Sequence, residues 1–297
     1  MGYHVAENRI RAILRQVDPD GVAARRRRAL KRRVFSVSGA NYLWCIDGHH
    51  KLIMYHFVVH GCVDGFSRKT IFCEVSCNNR ASTVVEAFQE GAQRSGLPHR
   101  VRGDYGGENE EVARLICDLY EDNGRFINGP STHNQRIERM WRDTREKVID
   151  LFKEIFMHLE SNGVLDTDNM LDIFCLHYCY LPRIQRDLDL FVEAWNNHSL
   201  RTLHGKTPNQ TWLLNMLHQG YGLIEDNLAV SSIAEQRSMD TMINRIITSS
   251  FYSELPLEVI NLWIEQSVEI LPDPLQEDGQ FGINNYLQLR NHLLSID

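Results

Sequence analysis

The chain has 297 residues, 43% hydrophobic and 24% charged, the composition of a soluble globular protein. No apolar run approaches the roughly 20 residues of a membrane span, and Glu7 and Arg9 stand where a secretory signal would have its apolar core, so neither membrane nor secretory classes are expected. The net charge of −7 is unevenly spread: residues 1–33 hold ten Lys/Arg against three acids and residues 221–297 hold three against twelve, which predicts a basic arm and an acidic tail.

Residues 6–17 carry Ile10, Ile13, Leu14 and Val17 at helical spacing, and Asp18-Pro19-Asp20-Gly21 reads as a turn. A second helical stretch carries Arg25, Arg26, Arg27, Arg28, Lys31, Arg32 and Arg33. The period then changes. Residues 42–47, 53–63 and 69–76 are short and rich in β-branched and aromatic side chains, with turn-like breaks at Gly48-His49-His50 and Asp64-Gly65-Phe66-Ser67, and predict a three-stranded antiparallel meander. A helix over 81–95, ended by Gly96 and Pro98, is followed by a strand over 100–104, a helix over 108–122, a strand over 125–127 and a long helix over 132–159. Helices over 168–180, 184–198 and 207–218 come next, the last opened by Thr207-Pro208. Beyond 220 the signal weakens to a small helical tail with loops such as Leu271-Pro272-Asp273-Pro274. Strands first and alternating helices and strands afterwards imply a mixed α/β sheet with helices on both faces. The seven cysteines, odd in number and scattered through apolar segments, predict buried free thiols in a reducing compartment.

Three acids stand out. Asp47 closes the apolar run Tyr42-Leu43-Trp44-Cys45-Ile46, Asp104 follows Val101-Arg102-Gly103, and Glu138 sits in the polar, helix-forming stretch from His133 to Trp141. Transfer at a phosphodiester needs a deprotonated nucleophile, a stabilised leaving oxygen and neutralised charge, which two divalent ions about 3.5–4 Å apart can supply. Mg²⁺ or Mn²⁺ takes hard oxygen ligands and only a few carboxylates. Aspartates on adjacent strands lie about 4.8 Å apart in the pairing direction, and a glutamate on a helix crossing the strand ends can reach in from the side. The pattern points to polynucleotidyl transfer.

The run from Asp47 through Asp104 to Glu138, with 33 residues between the last two, resembles the catalytic core of retroviral integrases and related DDE transposases. Asp104-Tyr105-Gly106-Gly107-Glu108-Asn109 looks like the family's strand exit, Gly129-Pro130-Ser131-Thr132-His133-Asn134-Gln135 like the loop before its glutamate helix, and Asp64-Gly65-Phe66-Ser67-Arg68 like its hairpin. More narrowly, the segments 44–52 and 131–143 look like integrase core domain proteins of eukaryotic transposable elements, over about residues 20–215. The resemblance implies a ribonuclease H-like mixed five-stranded sheet flanked by helices. It implies DNA 3′-end processing and strand transfer carried on Asp47, Asp104 and Glu138. It also implies Mg²⁺ (or Mn²⁺) on those residues, Asp47 and Asp104 sharing one ion while Glu138 helps hold the second, and a homo-oligomer on DNA. The chain departs from the retroviral pattern in showing no zinc-binding amino-terminal module and no basic carboxyl-terminal β-barrel, and the segment 122–128 is short.

Asp64 reads as a hairpin acid and Glu108 as a helix-capping one, outside the triad. His56, His60, Cys73 and Cys77 are zinc-ligand types, but strand positions four apart stand about 13 Å apart, too far to share one ion. Cys175 and Cys179 read as helix packing. Ile137, Trp141, Thr144, Val148, Phe152, Ile155 and Leu159 trace a buried helical face with Glu138 at its border. Gln135, Arg136, Arg139 and Arg142, with Arg145, are expected along DNA. Arg25, Arg26, Arg27 and Arg28 are read as a phosphate-binding arm and nuclear-localisation signal, with a solvated helix face as the plain alternative.

The expected organisation is a basic helical arm (1–37), a catalytic core (38–160), a helical extension (161–220) and an acidic tail of unassigned role (221–297). The expected function is a metal-dependent DNA integrase or transposase acting in the nucleus, with DNA and further copies of itself as partners and no membrane. A catalytically silent nuclear DNA-binding or interaction protein and a plain nuclease on the same core are the alternatives.

Overall fold

In the computed structural model, which describes residues 6–27, 36–130, 134–219 and 239–296, the chain divides after Ser36 into two units. The first holds α1 (Glu7–Val17) and α2 (Pro19–Arg27). Asp18 turns the chain between them, its carboxylate accepting from the Gly21 amide at 2.8 Å, with Pro19 at the first helical position where no N–H is needed. Ile10, Ile13, Leu14 and Val17 share one face of α1, and all four are exposed. Arg25, Arg26 and Arg27 end α2, whereas Arg28, Lys31, Arg32 and Arg33 lie outside the described residues.

The second unit is built on a sheet of β1 (Trp44–His49), β2 (Val58–Asp64), β3 (Thr70–Ser76), β4 (Val101–Gly103) and β5 (Phe126–Asn128), in the order β3-β2-β1-β4-β5. The first three strands form the antiparallel meander, while β4 pairs parallel to β1 and β5 parallel to β4. This is the mixed five-stranded, ribonuclease H-like sheet the resemblance implies. Parallel pairing demands crossovers, which α3 (Ala81–Ser95) and α4 (Glu110–Tyr120) provide, and their apolar stripes (Val84, Ala87 and Phe88; Val112 and Ile116) meet Trp44, Ile46 and Val101 in one core.

Two strand boundaries differ from the sequence reading. β1 runs past Asp47, because Gly48 and His49 still pair with His60 and Val59. The expected strand over 53–63 begins only at Val58: residues Ile53–Tyr55 form a 3₁₀ turn, and His56 closes it in the left-handed conformation at φ 58°.

The expected long helix is α5 (Gln135–Thr144), a π-helical turn over Arg145–Ile149 and α6 (Asp150–Ser161). Its buried face includes the seven expected residues and adds Met140, Ile149 and Phe156. The two helices expected over 168–198 are a single one, α7 (Met170–Asn197), with Pro182 inside it. A mid-helix proline costs about 3 kcal/mol in isolation. Here every residue from Leu171 to Gln185 is buried, between the sheet on one side and later helices on the other, and that packing overrides the proline. After α8 (Pro208–His218), whose Thr207 and Gln210 form a capping box, the expected tail proves to be α9 (Met239–Ile247), α10 (Leu257–Ile270) and α11 (Ile283–Ile296), part of the same unit as the core. Residues 220–238 lie outside the described residues.

Polar contacts hold these layers. Edge strand β3 would present unpaired backbone groups, but amide side chains of α7 satisfy them. Asn196 accepts from the Thr70 amide at 2.8 Å and donates to its carbonyl at 3.0 Å. Gln185 accepts from the Val75 amide at 3.0 Å and donates to the Cys73 carbonyl at 3.1 Å. Arg245 of α9 donates to the Val75 carbonyl at 2.6 Å and pairs with buried Glu74 at 2.7 Å. Arg290 of α11 grips fully buried Asp172 through two bonds of 2.6 and 3.1 Å. His177 of α7 lies within 3.0 Å of the Tyr55 carbonyl through Nε2 and 2.7 Å of the Tyr252 hydroxyl through Nδ1. A carbonyl can only accept, so Nε2 carries the proton and Nδ1 accepts from the tyrosine.

Asn196→Ala leaves the Thr70 amide and carbonyl buried without partners, and is expected to lower stability by about 2–4 kcal/mol in urea unfolding. His177 supplies a pH dependence: burial pushes its pKa down to about 3, against the pull of the Tyr55 bond. The unfolded chain takes up this proton near pH 6.5 and the folded protein does not, so stability present above about pH 6.5 declines as pH falls toward 3. Urea midpoints measured from pH 7 to 4 should therefore fall, with a shallower slope in His177→Asn whatever that variant's stability at pH 7.

Candidate active site

β1 is the central strand of the sheet, buried from Trp44 to Ile46. Asp47 follows, half-buried, opposite Gly61 of β2. On the other side, Trp44 pairs with Val101 and Cys45 with Arg102. Asp104 directly follows β4, and that register continued by two residues points it toward the position across from Asp47.

Each aspartate is held by its surroundings. The Asp104 Oδ1 accepts from the Gly106 amide at 3.1 Å and from Nδ2 of buried Asn109 at 2.9 Å. The Asp47 Oδ2 accepts from the indole Nε1 of Trp141 at 3.0 Å. Glu138 is exposed in the first turn of α5, where a carboxylate is favoured by the helix dipole. Buried Asn134, at the helix N-cap, donates from Nδ2 to the Ile46 carbonyl at 2.9 Å. Asn134, Glu138 and Trp141 are spaced i, i+4, i+7 and so form one stripe of the helix, which lies along the end of β1.

Asp47 feels the other two acids. Burial pushes the Asp47 carboxyl up to about 7; the Trp141 bond opposes this, and the charges of Asp104 and Glu138 add to it. Carboxylate oxygens of this kind suit a hard divalent cation in donor type. Among the described residues, no three His, Cys, Asp or Glu side chains already converge as an ion cage.

Asp47 and Glu138 open on a cleft of about 820 Å³, lined also by Gly48 and His49 of β1, by His50 and Lys51 after it, and by Gln135, Arg139, Trp141 and Arg142 of α5 and Arg145 of the turn that follows. Asp104 is not among its lining residues. Arg139 pairs with Asp143 at 3.2 Å and Arg145 with Asp150 at 3.5 Å, both at the surface. Burial pushes the His49 imidazole down to about 4, so it is neutral at physiological pH, and its ring lies tilted against Trp141 with the centroids 5.2 Å apart.

Of the residues expected along DNA, Gln135, Arg139 and Arg142 face this cleft. Arg136 does not: its Nε donates to the Gly65 carbonyl at 3.1 Å, beside the β2–β3 hairpin, and burial lowers its pKa. Arg25, Arg26 and Arg27 belong to the separate amino-terminal unit. Asp64 is the hairpin acid it reads as, fully buried, accepting from the Asn41 and Ser67 amides and the Ser67 hydroxyl at 2.7–2.9 Å. All seven cysteines are free thiols; six are buried and Cys117 is partly exposed. The segment 131–133 of the loop before the helix lies outside the described residues. Asn109, Asn134, His49 and Lys51 lie inside the segments that carry the resemblance but are read there with no role of their own, and Gly61 gives no local signal.

The family described as "Integrase core domain" matches residues 34–222, and the chain belongs to it. No curated protein sequence matches the chain. Similar solved structures include the HTLV-2 integrase catalytic core domain in complex with magnesium, in a trimeric form, at 17% identity and a TM-score of 0.40 over 60% of this chain and 99% of that one. The BIV integrase catalytic core domain is 16% identical with a TM-score of 0.41, over 61% and 99% of the two chains. A chain of a simian T-cell lymphotropic virus intasome in complex with the PP2A regulatory subunit B56 gamma is 17% identical with a TM-score of 0.40, over 58% and 54%.

Proposed function

We propose that this chain is a metal-dependent DNA integrase or transposase of a transposable element, performing 3′-end processing and strand transfer. The observation that carries the reading is a shared site: Asp47 and Glu138 open on one basic cleft, and the charge of Asp104 is felt at Asp47. Membership of the integrase core domain family supports it. Asp47, Asp104 and Glu138 would hold Mg²⁺ or Mn²⁺. Such ions supply activation of water or a 3′-hydroxyl and stabilisation of the leaving 3′-oxygen.

The chain's own residues have separable tasks. Gly106 and Asn109 orient Asp104, and Trp141 orients Asp47. Lys51, Arg139, Arg142 and Arg145 face the space beside the acids and bind phosphate there. Arg25, Arg26, Arg27 and Arg28 add sequence-independent attraction for DNA. Action in the nucleus as a homo-oligomer belongs to the same proposal.

The test incubates the full chain with Mg²⁺ or Mn²⁺ and labelled duplex ends, beside Asp104→Asn. Joined products that vanish in the variant are expected. Cleavage without joining would indicate a nuclease, and binding without cleavage a silent DNA-binding protein; either overturns the proposal. The two arginines should also separate. Arg142→Ala is expected to weaken duplex binding and lower the slope of log affinity against log salt by about one. Arg136→Ala should leave that slope unchanged while lowering the melting temperature, as read by fluorescence anisotropy and thermal unfolding.

A further inference from the structure

We infer that Trp141 is a positioning residue for Asp47, seated by the missing side chain of Gly61; the inference rests on the proposed role of Asp47 as a metal-binding acid. The indole offers a single polar group, an N–H that can only donate. A buried tryptophan N–H usually finds a partner, and here the partner is the Asp47 Oδ2 at 3.0 Å. Because the donor cannot reverse its role, it presents that oxygen as an acceptor and fixes the carboxylate plane.

The seat is shaped for the ring. Gly61 is the direct register partner of Asp47 on β2. A Cβ there would stand 2.6 Å from Cη2 and 2.9 Å from Cζ2 of Trp141, and 2.9 Å from Cε of Met140. The backbone of Gly61 does not call for glycine, since its φ is not positive. What excludes a side chain is the indole lying over the strand. The His49 ring lies tilted against that indole, centroids 5.2 Å apart. Trp141 therefore sits between its strand seat and the His49 ring, with its N–H on the acid. It also follows Glu138 by three residues on the same helix, so one rigid element places both carboxylates of the cleft.

An ordinary core tryptophan would contribute packing alone, and two substitutions separate the roles. Trp141→Phe keeps an aromatic ring and removes the donor. Gly61→Ala keeps the donor and pushes the ring away. With full-length protein, Mn²⁺ alone is titrated and followed by electron paramagnetic resonance, thermal unfolding is measured without metal, and strand transfer is assayed separately. Trp141→Phe is expected to melt close to wild type, to bind Mn²⁺ about 10–100-fold more weakly and to lose activity by a similar factor. Gly61→Ala is expected to weaken Mn²⁺ binding likewise, and the double variant to be no weaker than the weaker single one, because both act through one bond. Wild-type Mn²⁺ affinity in Trp141→Phe overturns the inference. Should Trp141→Phe fail to fold, Gly61→Ala decides by the same criterion. Asp47→Asn is the control: if wild type binds no Mn²⁺, or Asp47→Asn binds it as wild type does, the metal reading of the site itself has failed. Normal loss in Asp47→Asn with no loss in Trp141→Phe discards only the positioning role.

Discussion

The helix that carries Glu138 is fastened to the central strand at two points seven residues apart, Asn134 to the Ile46 carbonyl and Trp141 to the Asp47 carboxylate. Seven residues of α-helix span about 10.5 Å, so the pair fixes both the sliding and the rolling of α5 against β1. A single contact would leave one of those motions open. Glu138 lies between the two ties on the same stripe, and its position relative to Asp47 follows from them. The arrangement has to work against repulsion, because the Asp47 carboxyl is pushed up to about 7 partly by the charges of Asp104 and Glu138. Separate anchors on each acid, Trp141 for one and Gly106 with Asn109 for the other, resist that repulsion with hydrogen bonds to charged groups, which are among the stronger ones.

Such a site also needs its far side held. The helix continuing from α5 packs through Phe152 and Phe156 onto Tyr180 of α7, with ring centroids 6.2 and 5.0 Å apart. α7 in turn closes the β3 edge with Asn196 and Gln185, and α9 and α11 grip β3 and α7 through Arg245 and Arg290. Residues 239–296 lie beyond the segment matching the integrase core domain, yet their charged anchors end on Glu74 and Asp172, two buried acids. Removing those helices would take the guanidinium partner from each of these carboxylates, and breaking a buried ion pair from one side is costly. They therefore belong to the core in energetic terms.

Much of this was legible in the sequence, and the remainder failed for identifiable reasons. The helix Ala81–Ser95 shows its bounds through its periodic apolar stripe and the Gly96 stop. The acids at 47, 104 and 138 stand out through their flanking strand and helix signals. What local pattern could not show was long-range pairing. β1 continues through Gly48 and His49 only because His60 and Val59 face them, and Pro182 stays helical only because α7 is buried on all sides. The tail beyond 220 looked acidic and weakly patterned because the charges that anchor it, Arg245 and Arg290, find their partners 171 and 118 residues away. Arg136 looked equivalent to Arg139 and Arg142 by spacing, but its face of the helix meets the Gly65 carbonyl rather than the cleft.

Charge ties the site to its proposed substrate. A chain of net charge −7 is not repelled from a polyanion if its positive groups are focused where the contact falls, because local potential governs the encounter more than total charge does. Lys51, Arg139, Arg142 and Arg145 line the cleft shared by Asp47 and Glu138, and no acid of α9, α10 or α11 lines it. The ion pairs of Arg139 with Asp143 and Arg145 with Asp150 are exposed, and pairs of that kind contribute about 0–1 kcal/mol. They hold the guanidinium groups near the cleft yet oppose exchange for a phosphate only weakly. A backbone phosphate drawn in by these cations is brought up against the carboxylates, where its own charge raises the need for a divalent ion between them. In the proposed function the cations and the acids lining this cleft are thus complementary parts of one phosphate site rather than competing features.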